Sequence, residues 1–118
     1  MPRILLLEDE ETVRALVEHL LLAERYQVDV AGTVAEARTL LVRHHYDLVL
    51  ADLVLPDGTG TMIAHEARRS GTPAIIVTAY AAQFPKADLA HFQMLMKPVR
   101  PAELLQAVGE VLKPASDA

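Results

Sequence analysis

Five polar side chains stand at the ends of short apolar runs, and their types suit chemistry on phosphorus. They are Glu8, Asp9, Asp52, Thr78 and Lys97. Carboxylates crowded at one place repel each other, so either some are protonated or a hard cation neutralises them, and an oxygen-only set suits magnesium. A carboxylate can also attack phosphorus to form an acyl phosphate, and the cation would offset the charge of both reacting groups.

Asp52 is the best candidate for such a nucleophile, because it follows an apolar run that we expect at the centre of a sheet. Thr78 could donate its hydroxyl to a phosphoryl oxygen. Lys97 could pair with the acids when the site is empty and with the phosphoryl group when it is loaded. The residues thus divide into a nucleophile, a metal-binding group and two phosphoryl ligands.

The chain alternates short apolar runs with stretches of helical periodicity, which is typical of a parallel sheet with crossover helices. The predicted strands are 4–7, 27–31, 48–51, 74–77 and 94–96. We therefore predict an α/β fold, a doubly wound five-stranded sheet of flavodoxin-like order 2-1-3-4-5 with helices on both faces. Ligands of such sheets lie beyond the carboxyl ends of the strands, where the five polar residues stand.

Apolar spacing and turn residues predict the helices between these strands. The spacing puts Val13, Leu16, Val17, Leu20 and Leu21 on one stripe of the first helix, which we expect to pack on the sheet. A second helix should begin with a capping box formed by Thr33 and Glu36. After it we expect a loop over 56–60, a helix over 61–69 and one short helix within 81–92. The last helix should begin at Pro101 and end at Pro114.

Composition indicates one domain of 118 residues, with an ordered core over 3–113 and a tail over 114–118. The formal charge of −5 argues against direct binding of nucleic acid. The chain has no cysteine, which excludes disulfides and thiolate metal sites. It shows neither a signal peptide nor a long apolar run, so we expect a cytoplasmic protein without membrane insertion.

These residues, taken in order, resemble the receiver domains of bacterial response regulators over essentially the whole chain. The matching segments are ILLLEDE at 4–10, DLVLADLVLPDG at 47–58, IVTA at 76–79 and KPV at 97–99. Each segment alone is a weak signal, and their joint occurrence in this order is highly specific.

The resemblance implies a role for each site residue. Asp52 is the phosphoacceptor, and Asp9 and Asp52 bind Mg²⁺ directly, with Glu8 acting through water and the carbonyl of Val54 supplying another oxygen. Thr78 and Lys97 bind the phosphoryl group. The resemblance further implies a cis bond between Lys97 and Pro98, a sensor histidine kinase or phosphotransfer protein as phosphodonor, and an unidentified downstream protein partner.

The chain departs from the family pattern at three places. Receiver domains commonly carry Tyr or Phe three residues before the lysine, and here that position is Met94. The stretch from Thr78 to Lys97 is a few residues short. Val54 and Tyr80 occupy the two positions that tune access of the hydrolytic water, and neither positions water as a carboxylate or amide would. We therefore expect slow dephosphorylation and an unusual coupling to the output.

Simpler interpretations stand beside these. Glu8 and Asp9 could merely be acids at a helix N-terminus, Asp52 could cap a loop, and Thr78 and Lys97 could be an ordinary strand residue and a surface lysine. The main functional alternative is a pseudo-receiver that binds a partner constitutively. For the switch we expect no turnover of a separate substrate, only phosphoryl acceptance and slow hydrolysis.

Overall fold

A five-stranded parallel sheet forms the centre of the protein, whose computed structural model describes residues 1–112, apart from the side chain of Asp88. The strand order β2-β1-β3-β6-β7 is the predicted order 2-1-3-4-5 once a separate two-stranded hairpin, β4-β5, is set aside. The strands are β1 Arg3–Leu7, β2 Gln27–Ala31, β3 Leu48–Ala51, β4 Val54–Leu55, β5 Gly58–Thr59, β6 Ala74–Thr78 and β7 Gln93–Met96.

Among residues 1–112, five α-helices cover the two faces of this sheet, which confirms the predicted fold class. They are α1 Glu11–Ala23, α2 Val34–Arg43, α3 Gly60–Arg69, α4 Lys86–Leu89 and α5 Pro101–Leu112. The predicted helix end at Pro114 and the predicted tail over 114–118 lie outside the described residues. Within the part of the chain that the structure describes, no helix is long and apolar enough to cross a membrane.

The apolar core is divided into two layers by the sheet. Alternate residues of a strand point to opposite faces, so Leu5 of β1 packs in the layer with α2 and α3, while Leu6 packs in the layer with α1 and α5. All four residues of β3 are buried, as expected for a strand covered on both faces. This two-sided burial keeps the central strands in place and makes their ends a rigid platform.

The helices pack largely as their apolar spacing predicts, with one exception in α1. Val17 and Leu21 are buried, and Val13 and Leu20 pack against the same layer. Leu16 was predicted to join this stripe, and that is wrong, because it is 52% exposed. The stripe of α1 that packs on the sheet is thus narrower than predicted.

The predicted cap of α2 is present in a modified form. The Thr33 hydroxyl accepts the backbone N–H of Glu36 at 3.1 Å, as a capping box requires. The Glu36 carboxylate accepts from the N–H of Gly32 at 3.3 Å and from the Thr33 hydroxyl. The start of α2 could therefore be predicted from the sequence, but the hydrogen bonds of the Glu36 side chain could not.

The loop predicted over 56–60 is more ordered than expected. Val54 pairs with Thr59 and Leu55 with Gly58, which forms the β4-β5 hairpin, and α3 begins one residue early, at Gly60. Asp57 at the hairpin turn accepts the N–H groups of Val34 and Ala35 at 2.8 and 3.0 Å. This carboxylate ties the hairpin to the first turn of α2, whose N–H groups have no partner within the helix.

Gly60 lets α3 begin directly against the end of β3. A Cβ placed on Gly60 would lie 1.8 Å from the carbonyl oxygen of Asp52, far inside any allowed contact. The N–H of Gly60 also donates to the carbonyl of Leu53 at 3.1 Å. Only glycine fits at this position without moving the backbone around Asp52.

The segment predicted to hold one short helix within 81–92 contains two short elements. A 3₁₀ turn spans Ala81–Gln83, and α4 follows Pro85 with only four residues. Met94 is partly buried and packs against the layer that includes Phe92. Met96, in contrast, is 50% exposed.

Replacing Gly60 by alanine should strain the junction between β3 and α3. We expect Gly60→Ala to lower the free energy of unfolding by about 1–3 kcal/mol, the usual cost of overpacking. Gly109→Ala is the matched control, because a Cβ at Gly109 within α5 meets no atom within 4 Å. It should raise stability by about 0.5–1 kcal/mol through helix propensity. Urea unfolding measures both, and equal effects of the two changes would contradict the packing argument.

Replacing Asp57 by asparagine should make the stability less dependent on pH. The N–H groups of Val34 and then Ala35 hold the pKa of Asp57 below its ordinary value. Its stabilising effect is therefore fully present above the ordinary aspartate pKa and is lost as the pH falls through the lowered one. Asp57→Asn should be less stable than wild type at neutral pH, and the difference should shrink as the pH falls below the ordinary pKa of aspartate.

Urea unfolding at a series of pH values checks this prediction. Glu24→Gln is a suitable control, because Glu24 is exposed and its side chain makes no hydrogen bond within the described residues. A difference between wild type and Asp57→Asn that stays constant with pH would show that the carboxylate contributes no charge-dependent stabilisation.

Candidate functional site

Two acids of the site, Glu8 and Asp52, directly follow the last residues of the neighbouring strands β1 and β3. The N–H of Glu8 donates to the carbonyl of Ala31 at 2.9 Å, and the N–H of Asp52 donates to that of Leu7 at 3.0 Å. The hydrogen bonding of the sheet thus continues past the ends of β1 and β3 and fixes both backbones. Glu8 and Asp52 are only 4% and 6% exposed.

Lys97 joins these acids from the far end of β7. Its ammonium donates to the Glu8 carboxylate at 2.5 Å and to the Asp52 carboxylate at 2.8 Å. Burial raises the pKa of Glu8, and the hydrogen bonds from Lys97 and the Glu10 amide oppose that rise. Burial works to lower the pKa of Lys97, but the hydrogen bonds to Asp52 and Glu8 raise it above its ordinary value. The ammonium therefore stays charged between the two acids.

Asp9 completes a group of three carboxylates. Glu8, Asp9 and Asp52 each offer an oxygen, and these oxygens lie within 4.8 Å of one another. Asp9 is exposed, whereas the other two are buried. A cluster made only of oxygen donors, with one side open to water, fits a hard divalent cation that keeps part of its hydration shell.

Thr78 lies beside Lys97, and Val54 lies beside Asp52. The N–H of Lys97 donates to the carbonyl of Thr78 at 3.0 Å, which places the two residues side by side at the ends of β7 and β6. The buried Thr78 hydroxyl accepts the N–H of Tyr80 at 3.1 Å, so its own hydrogen is free to be donated elsewhere. The N–H of Val54 lies 3.5 Å from an Asp52 carboxylate oxygen.

Several residues that support the site were not identified from the sequence. Arg14 on α1 donates to the backbone carbonyl of Glu8 at 3.1 Å, and the N–H of Glu10 donates to the Glu8 carboxylate at the same distance. Gly60 allows α3 to approach Asp52. A glycine as the last residue of the predicted loop was a possible signal for that contact, but nothing in the local sequence pointed to Arg14.

The peptide bond between Lys97 and Pro98 is cis, as the resemblance implies. Beside it a cavity of about 410 Å³ extends from the acids into the space between α1 and α5. Glu8, Asp52 and Lys97 lie at its polar side, and Leu6, Leu50 and Val77 of the sheet form part of its apolar wall. The site is thus a polar rim over an apolar interior.

Comparison with protein families agrees with this geometry. The family model of the response regulator receiver domain matches residues 4–109. The response regulator ArlR of Staphylococcus aureus is 32% identical over 117 residues, which cover 96% of this chain and 53% of ArlR. The chain therefore spans about half the length of the curated relatives it matches.

Solved structures show the same architecture. A CheY-like receiver domain protein from Methanospirillum hungatei superposes with a TM-score of 0.87 at 30% identity, covering 93% of this chain and 92% of that one. The response regulator TrrA of Thermotoga maritima, solved in complex with Mg²⁺ and BeF, gives 0.86 at 30% identity, covering 95% of this chain and all (100%) of TrrA.

A third solved structure was determined with a metal ion bound. The receiver domain of a sensor histidine kinase from Pseudomonas aeruginosa, with magnesium coordinated in its active site cleft, gives a TM-score of 0.84 at 27% identity, covering 96% of this chain and 98% of that one. Together with the family match over most of its length, these likenesses show that the chain belongs to the response regulator receiver domains of two-component signalling systems.

Proposed function

We propose that this protein is a signalling switch that accepts a phosphoryl group on Asp52 from a sensor histidine kinase or a phosphotransfer protein. The observation that carries this proposal is the buried Asp52 carboxylate, which shares one ammonium with Glu8 and lies within reach of Asp9. Membership of the receiver family supports the same role.

In the proposed step a carboxylate oxygen of Asp52 attacks phosphorus. The new bond is an O–P bond, and the bond that breaks joins phosphorus to the donor atom, which leaves with the electron pair. With acetyl phosphate as donor, the leaving group is acetate. Hydrolysis later transfers the phosphoryl group to water and restores the carboxylate.

Lys97 and Thr78 are the proposed ligands of the phosphoryl group. Lys97 now donates to Asp52 and Glu8, and it could exchange one of these acceptors for a phosphoryl oxygen while staying charged. The hydrogen of the Thr78 hydroxyl is free for a second phosphoryl oxygen, because its oxygen already accepts the N–H of Tyr80. Both residues approach from the β6-β7 side of Asp52.

Mg²⁺ is the proposed cofactor. Asp9, Asp52 and the Val54 carbonyl would bind it directly, and Glu8 would act through water. The three clustered carboxylates support this set, and so does the magnesium in two related receiver structures. When bound, the ion would neutralise charge on the attacking carboxylate and on the phosphoryl oxygens.

The output of the switch is proposed to be altered binding of a downstream protein, in the cytoplasm. Phosphorylation adds charge at one edge of the sheet and could shift an existing conformational equilibrium. Met94, which stands where an aromatic residue is usual, packs against the apolar layer that also contains Leu89 of the short α4, so the moving parts would differ from the common pattern.

The same two observations favour a second candidate, a pseudo-receiver that binds its partner whether or not Asp52 is modified. The short α4 and the partly buried Met94 are the features that support it. The complete set of acids with Lys97 supports the switch instead. The next experiment distinguishes the two.

Incubation with acetyl phosphate and magnesium should add one phosphoryl group to the wild-type protein. Intact-mass spectrometry should show this addition, and chelation of magnesium should abolish it. Asp52→Asn should remain unmodified, because an amide is not a nucleophile toward phosphorus. Asp57→Asn is the matched control, since it changes an exposed aspartate five residues away, and it should still be modified. An unmodified wild type that is folded would favour the pseudo-receiver.

Spontaneous loss of the phosphoryl group should take minutes or longer rather than seconds. Val54 and Tyr80 are 43% and 46% exposed beside the site and carry no group that would orient the attacking water as a base. Val54→Asn should accelerate the loss by up to about tenfold, below the full range of general base catalysis. Val42→Asn, at an exposed valine of α2, should have no effect. Decay of the phosphorylated mass measures the rate, and loss within seconds from wild type would contradict the prediction.

A further inference from the structure

Two grooves lie along the helices α2 and α3, at either side of the ion pair between Arg38 and Glu66. One has a volume of about 660 Å³ and is lined by residues that include Arg68 and Arg69. The other has a volume of about 620 Å³ and is lined by residues that include Arg43. Arg38 and Glu66 line both, so the grooves form one continuous surface.

This surface is strongly cationic in a chain that is acidic as a whole. Its charged lining consists of four arginines and one glutamate, whereas the formal charge of the chain is −5. We call the area around Arg38, Arg43, Arg68 and Arg69 the arginine surface. A positive area of this kind attracts acidic groups over a Debye length of about 10 Å at 0.1 M salt.

The four arginines differ in how many contacts they already make within the protein. Arg38 binds Glu66, with nitrogen to oxygen distances of 3.0 Å. Arg68 lies over the ring of Phe92 and donates to a backbone carbonyl. Arg43 and Arg69 are exposed and bind no side chain among those that the structure describes. Both arginines lie near helix C-termini, where the helix dipole stabilises positive charge. That interaction does not use the N–H donors of their guanidinium groups, which remain available to a partner.

Apolar side chains interrupt the charges. Met62 lines the first groove and is 43% exposed, and Val42 lines the second and is 83% exposed. Exposed apolar side chains next to arginines are typical of protein interfaces, where Arg and Met are enriched. A partner for this surface therefore carries both carboxylates and apolar groups.

Two other occupants fit the surface less well. In a two-fold dimer the same area would face itself and bring arginine against arginine, which is unfavourable. A nucleic acid would leave the exposed Met62 and Val42 without apolar contacts. An acidic protein segment satisfies both the charges and the apolar groups.

We infer that the arginine surface binds an acidic segment of a partner protein, with glutamate or aspartate side chains beside apolar ones. The C-termini of α2 and α3 lie at the edge of the sheet opposite to Asp52, because the helices run antiparallel to the strands. The inference goes beyond the proposed phosphorylation and does not depend on it.

The test is a titration of the ¹⁵N-labelled protein with a synthetic amphipathic peptide that carries glutamate on one helical face and leucine on the other. Amide shifts should concentrate in the C-terminal halves of α2 and α3, and binding should weaken as salt rises. A peptide of the same sequence with every glutamate replaced by glutamine should bind much more weakly. No shifts in α2 and α3, or equal binding of the two peptides, would overturn the inference.

A pair of charge-reversal variants sharpens this test. Arg43→Glu with Arg69→Glu should weaken binding about tenfold or more, because like charges would then face each other. Arg25→Glu with Lys86→Glu changes the net charge by the same amount at exposed positions elsewhere and should bind like wild type. Circular dichroism verifies that both variants are folded. Equal affinity of the two double variants would show that the arginine surface is not the binding site.

Three further measurements separate the alternatives. Duplex DNA that causes the same shifts with higher affinity than the acidic peptide would overturn the choice of a protein partner. A sedimentation mass that rises with protein concentration and falls to the monomer in Arg43→Glu with Arg69→Glu would indicate a second copy as the occupant. Asp52→Asn should bind the peptide as wild type does. Binding at the arginine surface can then be tested even if the phosphorylation proposal fails.

Discussion

Repulsion between carboxylates at the carboxyl edge of the sheet is the constraint on which this structure depends. Glu8 and Asp52 are held there by strands that are buried on both faces, so neither acid can move away from the other. Lys97 offsets this repulsion from β7, and its ammonium contacts both acids. A third acid, Asp9, adds negative charge on the open side, where a divalent cation could bind. The fold thus keeps three negative carboxylates together, and Lys97 neutralises their charge only in part.

The parts of the structure that the sequence predicted are those that depend on local pattern. Wholly apolar runs such as Leu48–Ala51 indicated buried strands, and the acids at their ends were expected to meet because parallel strands end at a common edge. The cap at Thr33 was also visible, since its spacing to Glu36 is a local signal. The segment before β7 was only partly predicted, because Pro85 and a weak apolar pattern leave little periodicity to interpret.

The features that escaped prediction depend on contacts between residues far apart in the chain. Asp57 accepts a hydrogen bond from the first turn of α2, 23 residues earlier in the chain. No local sequence pattern reveals that these two segments meet. The exposure of Leu16 shows a similar limit, because helical spacing identifies an apolar stripe but not how much of it the sheet and α5 can cover. The arginines of α2 and α3 are ordinary helix residues in the sequence, and only the packing of the two helices places them on one surface.

The close approach of Gly60 to the Asp52 carbonyl divides the molecule into a stiff half and a softer half. Because the start of α3 already touches the backbone of Asp52, this side of the pocket has no free space into which the acid could retreat. On the other side, the segment between Thr78 and Lys97 contains a 3₁₀ turn and the four residues of α4, and both are too short to hold many backbone hydrogen bonds of their own. If phosphorylation of Asp52 changed the shape of the protein, the β6 and β7 side would therefore offer more room for that change than β1, β3 and α3.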